Sequence, residues 1–316
     1  MKDQQKAILA ALLNAVITGL SFLFLKMALA VTNPVDTLSH RFTVAFLAAS
    51  IPILFGWIKL SIKPKDILAI IPLAMLYPVL FFTLQAFGLV YTTSSEAGII
   101  QATVPIFTMI MAAFFLRESS TWLQKLSTIL SVAGVVYIFA IKGLGASTSS
   151  GSSLGTILIL LSAVSLAGYS VLARKMTKSF HYIDMTYMVA VLGFVFFNAW
   201  SVIQHSVEGT LSSYFAPFAS PTFIISIVYL GILSSLVTSF MTNFALSKME
   251  ASKISVFNNL STLVTIVAGV LFLQEKLAYY HLIGALMIIV GVIGTNFLGA
   301  KSRARDRLPS TKSSSV

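Results

Sequence analysis

The sequence lacks cysteine and has few charged residues. None of its 316 residues is cysteine, so the chain forms no disulfide and offers no thiolate ligand to a metal. Its four histidines are scattered without metal-ligand spacing, and no P-loop sequence is present. These absences exclude a zinc-thiolate site and direct ATP hydrolysis. We therefore expect no enzyme activity, no bound metal and no cofactor.

Apolar residues fill most of the chain. Charged residues make up 10% and hydrophobic residues 57%, whereas soluble domains contain about 25% charged residues. Ten runs are free of Asp, Glu, Lys and Arg, and a spanning helix needs about 17–25 mostly apolar residues. The sequence predicts an all-α membrane protein with ten transmembrane helices, at 6–31, 35–58, 67–91, 94–116, 122–141, 154–174, 183–205, 220–247, 252–274 and 278–299.

The basic residues are unevenly distributed between alternate loops. Seventeen Lys and Arg lie on the side that holds the amino terminus, and four lie on the other side. This bias predicts that both termini are cytoplasmic, in a bacterial plasma (inner) membrane. The basic residues behind the net charge of +11 then orient the protein in the membrane and contact anionic lipid headgroups. We therefore expect no nucleic-acid partner.

The chain also contains an internal repeat. Residues 114–118 (Phe-Phe-Leu-Arg-Glu) recur 157 positions later as residues 271–275 (Leu-Phe-Leu-Gln-Glu). A Gly/Ser linker at 143–153 separates a first five-helix repeat at 1–142 from a second at 154–299, and a basic, Ser-rich tail follows at 300–316. Five spans per repeat give the copies opposite orientations. The prediction is two inverted five-helix repeats around a central cavity.

Polar residues at helical spacing predict what lines that cavity. The 157-residue offset superposes one stripe in spans three and four on another in spans eight and nine. Polar side chains in membrane helices either form interhelical hydrogen bonds or line a cavity, and a single polar residue can have either role. The superposed stripes favour the cavity, with Gln101 and Asn258 as the leading candidates. The full set of candidates is Asn14, Thr18, Tyr77, Phe81, Gln85, Gln101, Tyr169, Ser234, Thr238, Asn258 and Thr262.

Prolines and charged residues inside the predicted spans are candidates for helix hinges and for a gate. Pro78 and Pro105 are predicted to kink spans three and four, as hinges or as simple packing features. Arg41 either extends its charge to the outer surface, pairs with Glu96 or Asp36 in an outer gate, or binds a substrate carboxylate. Glu96 is a candidate proton acceptor if it is buried. The glutamates at 118 and 275 are predicted to cap or pair with neighbouring elements.

Several short motifs accompany the ten predicted spans: Arg41-Phe42, Phe87-Gly88-Leu89-x-Tyr91-Thr92-x-Ser94-Ser95, Pro105-Ile106-Phe107, Leu116-x-Glu118, Phe244-Ala245-Leu246, Ala251-Ser252, Leu273-x-Glu275 and Gly291-Val292. With these motifs, residues 6–299 resemble the EamA-like branch of the drug/metabolite transporter superfamily. The resemblance implies two inverted helix bundles around a central cavity, in a protein that exports or imports amino acids, other metabolites or drugs. Thr262 departs from the pattern, because the family often has a second proline there.

The predicted function is secondary active transport of a small organic metabolite by alternating access. The expected cargo is an amino acid or a drug-like solute, moved by export, with protons or a counter-substrate as the partner. One alternative is a non-transporting scaffold or lipid-handling protein. Another is a nucleotide-sugar or phosphate-ester antiporter, which would need several Lys or Arg in the cavity. Monomer and homodimer are both left open.

Overall fold

The structure is a computed structural model that describes residues 3–116, 122–144, 150–251, 254 and 257–306. Helices dominate this part of the chain, and it contains no strand. The α-helices are α1 Asp3–Leu29, α2 Pro34–Leu54, α3 Pro64–Ala74, α4 Phe81–Tyr91, α5 Ser94–Gln101, α6 Val104–Phe115, α7 Trp122–Leu144, α8 Ser150–Met176, α9 Tyr182–Glu208, α10 Pro221–Val228, α11 Thr238–Lys248, α12 Asn258–Phe272 and α13 Tyr279–Asp306.

Seven helical stretches among the described residues are long and apolar enough to cross a membrane. α12 and α13 contribute shorter apolar helices, over Leu260–Phe272 and Tyr279–Gly291. The protein is therefore an all-helical, multi-pass membrane protein, while the arrangement of ten spans in two inverted repeats stays a prediction. The seven stretches are Gln5–Leu29, Pro34–Leu54, Asp66–Tyr91, Ser94–Phe115, Ser153–Met176, Tyr182–Glu208 and Pro221–Lys248.

Three of these stretches are interrupted. π-helical segments run over Met75–Leu80, between α3 and α4, and over Tyr229–Val237, between α10 and α11. In the first, Tyr77 has extended backbone angles (φ −147°, ψ 114°) directly before Pro78. The third break, at residues 102–103, separates α5 from α6. Pro105 follows it as the second residue of α6, where a backbone N–H would have no intrahelical partner.

The helices of the two predicted repeats pack against each other. α1 contacts α12, α2 contacts α9, and α4 contacts α8, while α7 packs along α13. Between α2, α4 and α9, the ring of Phe42 lies 5.1 Å from that of Phe197 and 5.3 Å from that of Phe82. Large apolar side chains such as Leu54 and Phe114 are exposed, at 82% and 79%. This distribution suits a protein whose outer surface faces lipid.

Candidate substrate cavity

A cavity of about 60 Å³ lies inside the helix bundle. α1, α4, α8, α11 and the two π-helical segments surround it, so both predicted repeats contribute to its wall. A water molecule needs about 10–15 Å³ of such space, so there is room for only a few. The cavity is lined by Asn14, Thr18, Ser21, Tyr77, Phe81, Phe82, Gln85, Leu166, Tyr169, Ser170, Ser234, Thr238, Ser239, Thr242 and Ile254.

Two tyrosines are held against each other in the cavity wall. The rings of Tyr77 and Tyr169 lie 4.6 Å apart. Tyr169 donates its hydroxyl hydrogen to Asn243 Oδ1 at 2.7 Å, and Ser239 donates to the hydroxyl of Tyr77 at 3.3 Å. Asn243 in turn donates to Thr186 Oγ1 at 3.1 Å. Because the wall is hydrogen-bonded to α9 and α11, these hydrogen bonds restrict the orientation of its two tyrosine rings.

The structure brings together most of the residues that the polar stripes predict. Eight of the eleven candidates line this one cavity: Asn14, Thr18, Tyr77, Phe81, Gln85, Tyr169, Ser234 and Thr238. The stripes missed Phe82 and Ser239, which directly follow the stripe members Phe81 and Thr238. Consecutive residues lie about 100° apart around an α-helix, so both can border a wide cavity, whereas a stripe at i, i+4 spacing includes only one of them.

Two of the remaining three candidates lie elsewhere. Gln101 Nε2 donates to Ser162 Oγ at 2.6 Å and so joins α5 to α8. Thr262 donates to the carbonyl of Gly98 at 2.9 Å and joins α12 to α5. Both residues are buried and form interhelical hydrogen bonds, outside the cavity lining. Asn258 begins α12, and its side chain lies outside the described part of the structure. Of the two prolines, Pro78 follows the cavity residue Tyr77, whereas Pro105 does not line the cavity.

Arg41 and Glu96 are both buried, with different partners. Arg41 is only 1% exposed and donates from Nε to Ser235 Oγ at 2.7 Å and from Nη2 to Ser234 Oγ at 3.0 Å. Its guanidinium carbon lies 4.0 Å from the centre of the Phe82 ring. Glu96 accepts a hydrogen bond from Thr156 Oγ1 at 3.2 Å. Arg41 therefore lies behind the cavity wall, and its polar contacts among the described residues are with serines.

A polar cluster lies at the end of the bundle predicted to face outward. Asp36 is 4% exposed and pairs with His205, whose Nε2 lies 3.0 Å from Oδ1. Nearby, Tyr214 donates to Asn198 Oδ1 at 2.8 Å, and burial raises the pKa of the Tyr214 hydroxyl, which therefore stays protonated. The carbonyl of Tyr214 lies 2.9 Å from Nε2 of His40. This cluster ties α2, α9 and the following loop together at one end of the bundle.

Glu275 caps α5 from a distant part of the chain. Its Oε1 accepts from the backbone N–H of Ser94 at 2.7 Å, and its Oε2 accepts from the N–H of Ser95 at 2.8 Å. The first amides of a helix lack intrahelical partners, and a carboxylate there also interacts favourably with the helix dipole. The predicted structural role of Glu275 as a cap is confirmed. Glu118, its repeat partner, lies outside the described residues.

Comparisons with known proteins agree with this architecture. The model of the EamA-like transporter family matches residues 5–140 and 153–297. A Bacillus subtilis (strain 168) protein named uncharacterized transporter YcxC is 55% identical over 310 residues, covering 98% of this chain and 99% of that protein. An Archaeoglobus fulgidus protein named uncharacterized transporter is 27% identical over 277 residues, covering 87% of this chain and 92% of the relative.

A solved crystal structure shares the fold. Its chain is 17% identical, with a TM-score of 0.65, and the match covers 94% of this chain and 99% of that chain. The family match covers both predicted repeats and nearly the whole chain. The protein therefore belongs to the EamA-like transporter family, as its resemblance predicted.

Proposed function

We propose that this protein is a secondary active transporter that exports a small organic metabolite by alternating access. The observation that carries the proposal is the internal cavity, whose polar lining comes from both predicted repeats. Polar side chains inside a membrane bundle face protein or a wet cavity, and they often mark a substrate pathway. Membership of a transporter family supports the same function.

The lining favours an amino acid or another small amphipathic solute. It combines amide and hydroxyl groups, such as Gln85 and Thr18, with the aromatic rings of Tyr77, Phe81 and Tyr169. Hydrogen-bonding groups among apolar and aromatic side chains are typical of small-molecule sites. No Lys or Arg is among the lining residues in the described part of the chain. This argues against a nucleotide sugar or a phosphate ester, which would need several cations.

Alternating access requires the two halves to rock around the cavity. Met75–Leu80 and Tyr229–Val237 both border the cavity, and both interrupt a regular helix. Such interruptions are places where a helix bends at low cost. Because the cavity has room for only a few water molecules, solute entry requires the wall to move. Movement is driven by a proton gradient or by exchange for a counter-substrate, and Glu96, the candidate proton acceptor predicted from the sequence, is buried.

Counterflow in proteoliposomes tests the proposal. A panel of amino acids and toxic analogues is assayed with and without a pH gradient. We expect saturable counterflow of at least one solute, and its loss in Thr18→Phe, which fills the cavity. Val16→Phe is the matched control, because Val16 lies on the same helix and is 42% exposed outside the cavity lining. A stable protein that moves no solute would favour the scaffold alternative. Equal counterflow in both variants would show that the cavity is not part of the transport pathway.

A further inference from the structure

Arg41 carries a positive charge into the core of the bundle. Its side chain is 1% exposed, and its Nη1 atom has no hydrogen-bond partner in the described part of the chain. Among the described carboxylates, Asp36 pairs with His205 and Glu96 bonds to Thr156, and neither forms an ion pair with Arg41. Buried charges are normally paired, and buried guanidinium nitrogens normally have acceptors. Among the described residues, Arg41 therefore has no anionic acceptor.

The guanidinium lies one side chain away from the cavity. It contacts Ser234 through Nη2 and lies over the ring of Phe82, and both of these residues line the cavity. A change in the side-chain conformation of either residue would expose the guanidinium to a solute. Ser234 belongs to the π-helical segment Tyr229–Val237, and π segments are frequent at functional sites.

The backbone of Arg41 packs closely against the π-helical segment Tyr229–Val237. A Cβ atom at Gly231 would lie 2.8 Å from the carbonyl oxygen of Arg41 and 2.7 Å from Val44 Cβ, so only glycine permits this approach. The Nε–Ser235 hydrogen bond then fixes the direction of the side chain. The site is thus built around the guanidinium, whose charge has no anionic partner among the residues that the structure describes.

The chemistry of the site selects one class of ligand group. A guanidinium presents N–H donors in a planar fork that matches a carboxylate or a phosphate. The cavity lining in the described part of the chain adds neutral hydroxyls, amides and aromatic rings, with no further cation. One positive charge balances the single charge of a carboxylate and leaves a phosphate dianion under-compensated.

We propose that the cavity binds the carboxylate group of an organic acid or amino acid through Arg41. The carboxylate accepts from Nη1 and takes the place of the Ser234 hydroxyl at Nη2, while the aromatic and amide groups contact the rest of the solute. This inference rests on the proposed transport function and specifies its substrate class. It also gives Arg41 the counter-charge that the described residues do not supply.

The test compares acids with their own primary amides. Full-length protein in lipid nanodiscs is titrated with L-amino acids and with small aliphatic and aromatic carboxylic acids, each beside its amide, and with inorganic phosphate. The readout is the thermal unfolding midpoint, which a ligand raises when it binds the folded state. We expect at least one acid to raise the midpoint, and its amide to bind at least about tenfold more weakly.

Variants at Arg41 distinguish recognition of the carboxylate from a purely structural role of the arginine. Arg41→Gln retains a donor for Ser235 but has no charge, and we expect it to lose the preference for acid over amide. Its midpoint without ligand should equal or exceed that of the wild type, because a buried unpaired charge is removed. A merely structural arginine would instead leave the preference intact and lower the midpoint. Arg41→Lys keeps the charge without the fork, and should bind the acid with intermediate affinity.

Several results would overturn the inference. These are equal binding of acid and amide, unchanged acid binding by Arg41→Gln, preference for phosphate, or no acid bound across the panel. Should Arg41→Gln fail to fold, the acid-to-amide ratio of the wild type decides alone. Counterflow of a neutral or cationic solute that Thr18→Phe abolishes would leave the transport function standing while this inference fails. Absence of any counterflow would contradict both the proposed transport function and the inference about Arg41.

Discussion

His205 on α9 pairs with Asp36 on α2, with 3.0 Å between Nε2 and Oδ1. Ser201 donates a second hydrogen bond to Oδ1 at 2.6 Å, and the other ring nitrogen of His205 lies 2.7 Å from Thr210 Oγ1. Residues far apart in sequence thus form one buried polar cluster. The pair connects the first predicted repeat to the second at the end of the bundle predicted to face outward.

Asp36→Asn should lower the stability of the protein. The substitution keeps the shape but removes the charge of a carboxylate that four neighbouring side chains contact, and weakening a buried hydrogen-bonded network costs about 1–3 kcal/mol. Thermal unfolding in detergent measures the effect. Glu208→Gln is the matched control, since Glu208 is an exposed acid near the end of α9, and a change within about 0.5 kcal/mol is expected there. Equal midpoints for the two variants would contradict the role of the pair.

Glu275→Gln should also destabilise the protein, through the start of α5. The carboxylate accepts from two backbone amides and, at 2.5 Å, from Ser95 Oγ. A neutral amide accepts more weakly and donates where an acceptor is needed, so we expect a loss of about 1–2 kcal/mol. Lys276→Gln, at the next and exposed position, should leave the unfolding midpoint nearly unchanged. A larger effect from Lys276→Gln than from Glu275→Gln would refute the cap as a source of stability.

Gln85 and Gln101 provide a matched pair for transport. Gln85 lines the cavity, whereas Gln101 donates to Ser162 between α5 and α8. Gln85→Leu should raise the half-saturating concentration of the solute in counterflow up to about tenfold, the value of one lost hydrogen bond. Gln101→Leu should cost about 1 kcal/mol of stability while leaving the half-saturating concentration unchanged. The reverse pattern would place the substrate at α5 rather than in this cavity.

Gly284 allows α13 to pack closely against α7. A Cβ atom there would lie 3.0 Å from the carbonyl oxygen of Gly134 and would meet the side chain of Ile138. Gly284→Ala should therefore force the helices apart and lower stability by about 1–3 kcal/mol. Gly168→Ala is the control, because a Cβ there would meet Leu76 Cδ1 at an ordinary 3.4 Å. If Gly284→Ala unfolds at the same temperature as Gly168→Ala, close packing of α7 on α13 does not limit stability.

The absence of cysteine makes the predicted topology directly testable. Single cysteines can be introduced at Ser147, in the predicted outer linker, and at Lys59, in a predicted inner loop. In intact cells, a membrane-impermeant maleimide should label Ser147→Cys and leave Lys59→Cys unlabelled until the cells are opened. The opposite pattern would reverse the predicted orientation. Labelling of both sites in intact cells would contradict the assignment of five spans to the first repeat.

Some site residues could be predicted from the sequence, since helical spacing alone defines a helix face. Tyr77 and Phe81 in one predicted repeat, and Ser234 and Thr238 in the other, follow such spacing and do line one cavity. Gln101 and Thr262 follow similar spacing but form interhelical bonds. Helical spacing predicts which residues share one side of a helix. Whether that side borders a cavity or another helix depends on the positions of the neighbouring helices.

The sequence by itself determined the class of the protein. Long charge-free runs cannot be buried in a soluble domain of this size, and the repeated motifs are enough to place the chain in its family. Only the tertiary structure decided the partners of the buried charges. Arg41 bonds to Ser235 across 194 positions, and Asp36 pairs with His205 across 169. Local spacing carries no information about such contacts, because the packing of distant helices sets which side chains meet.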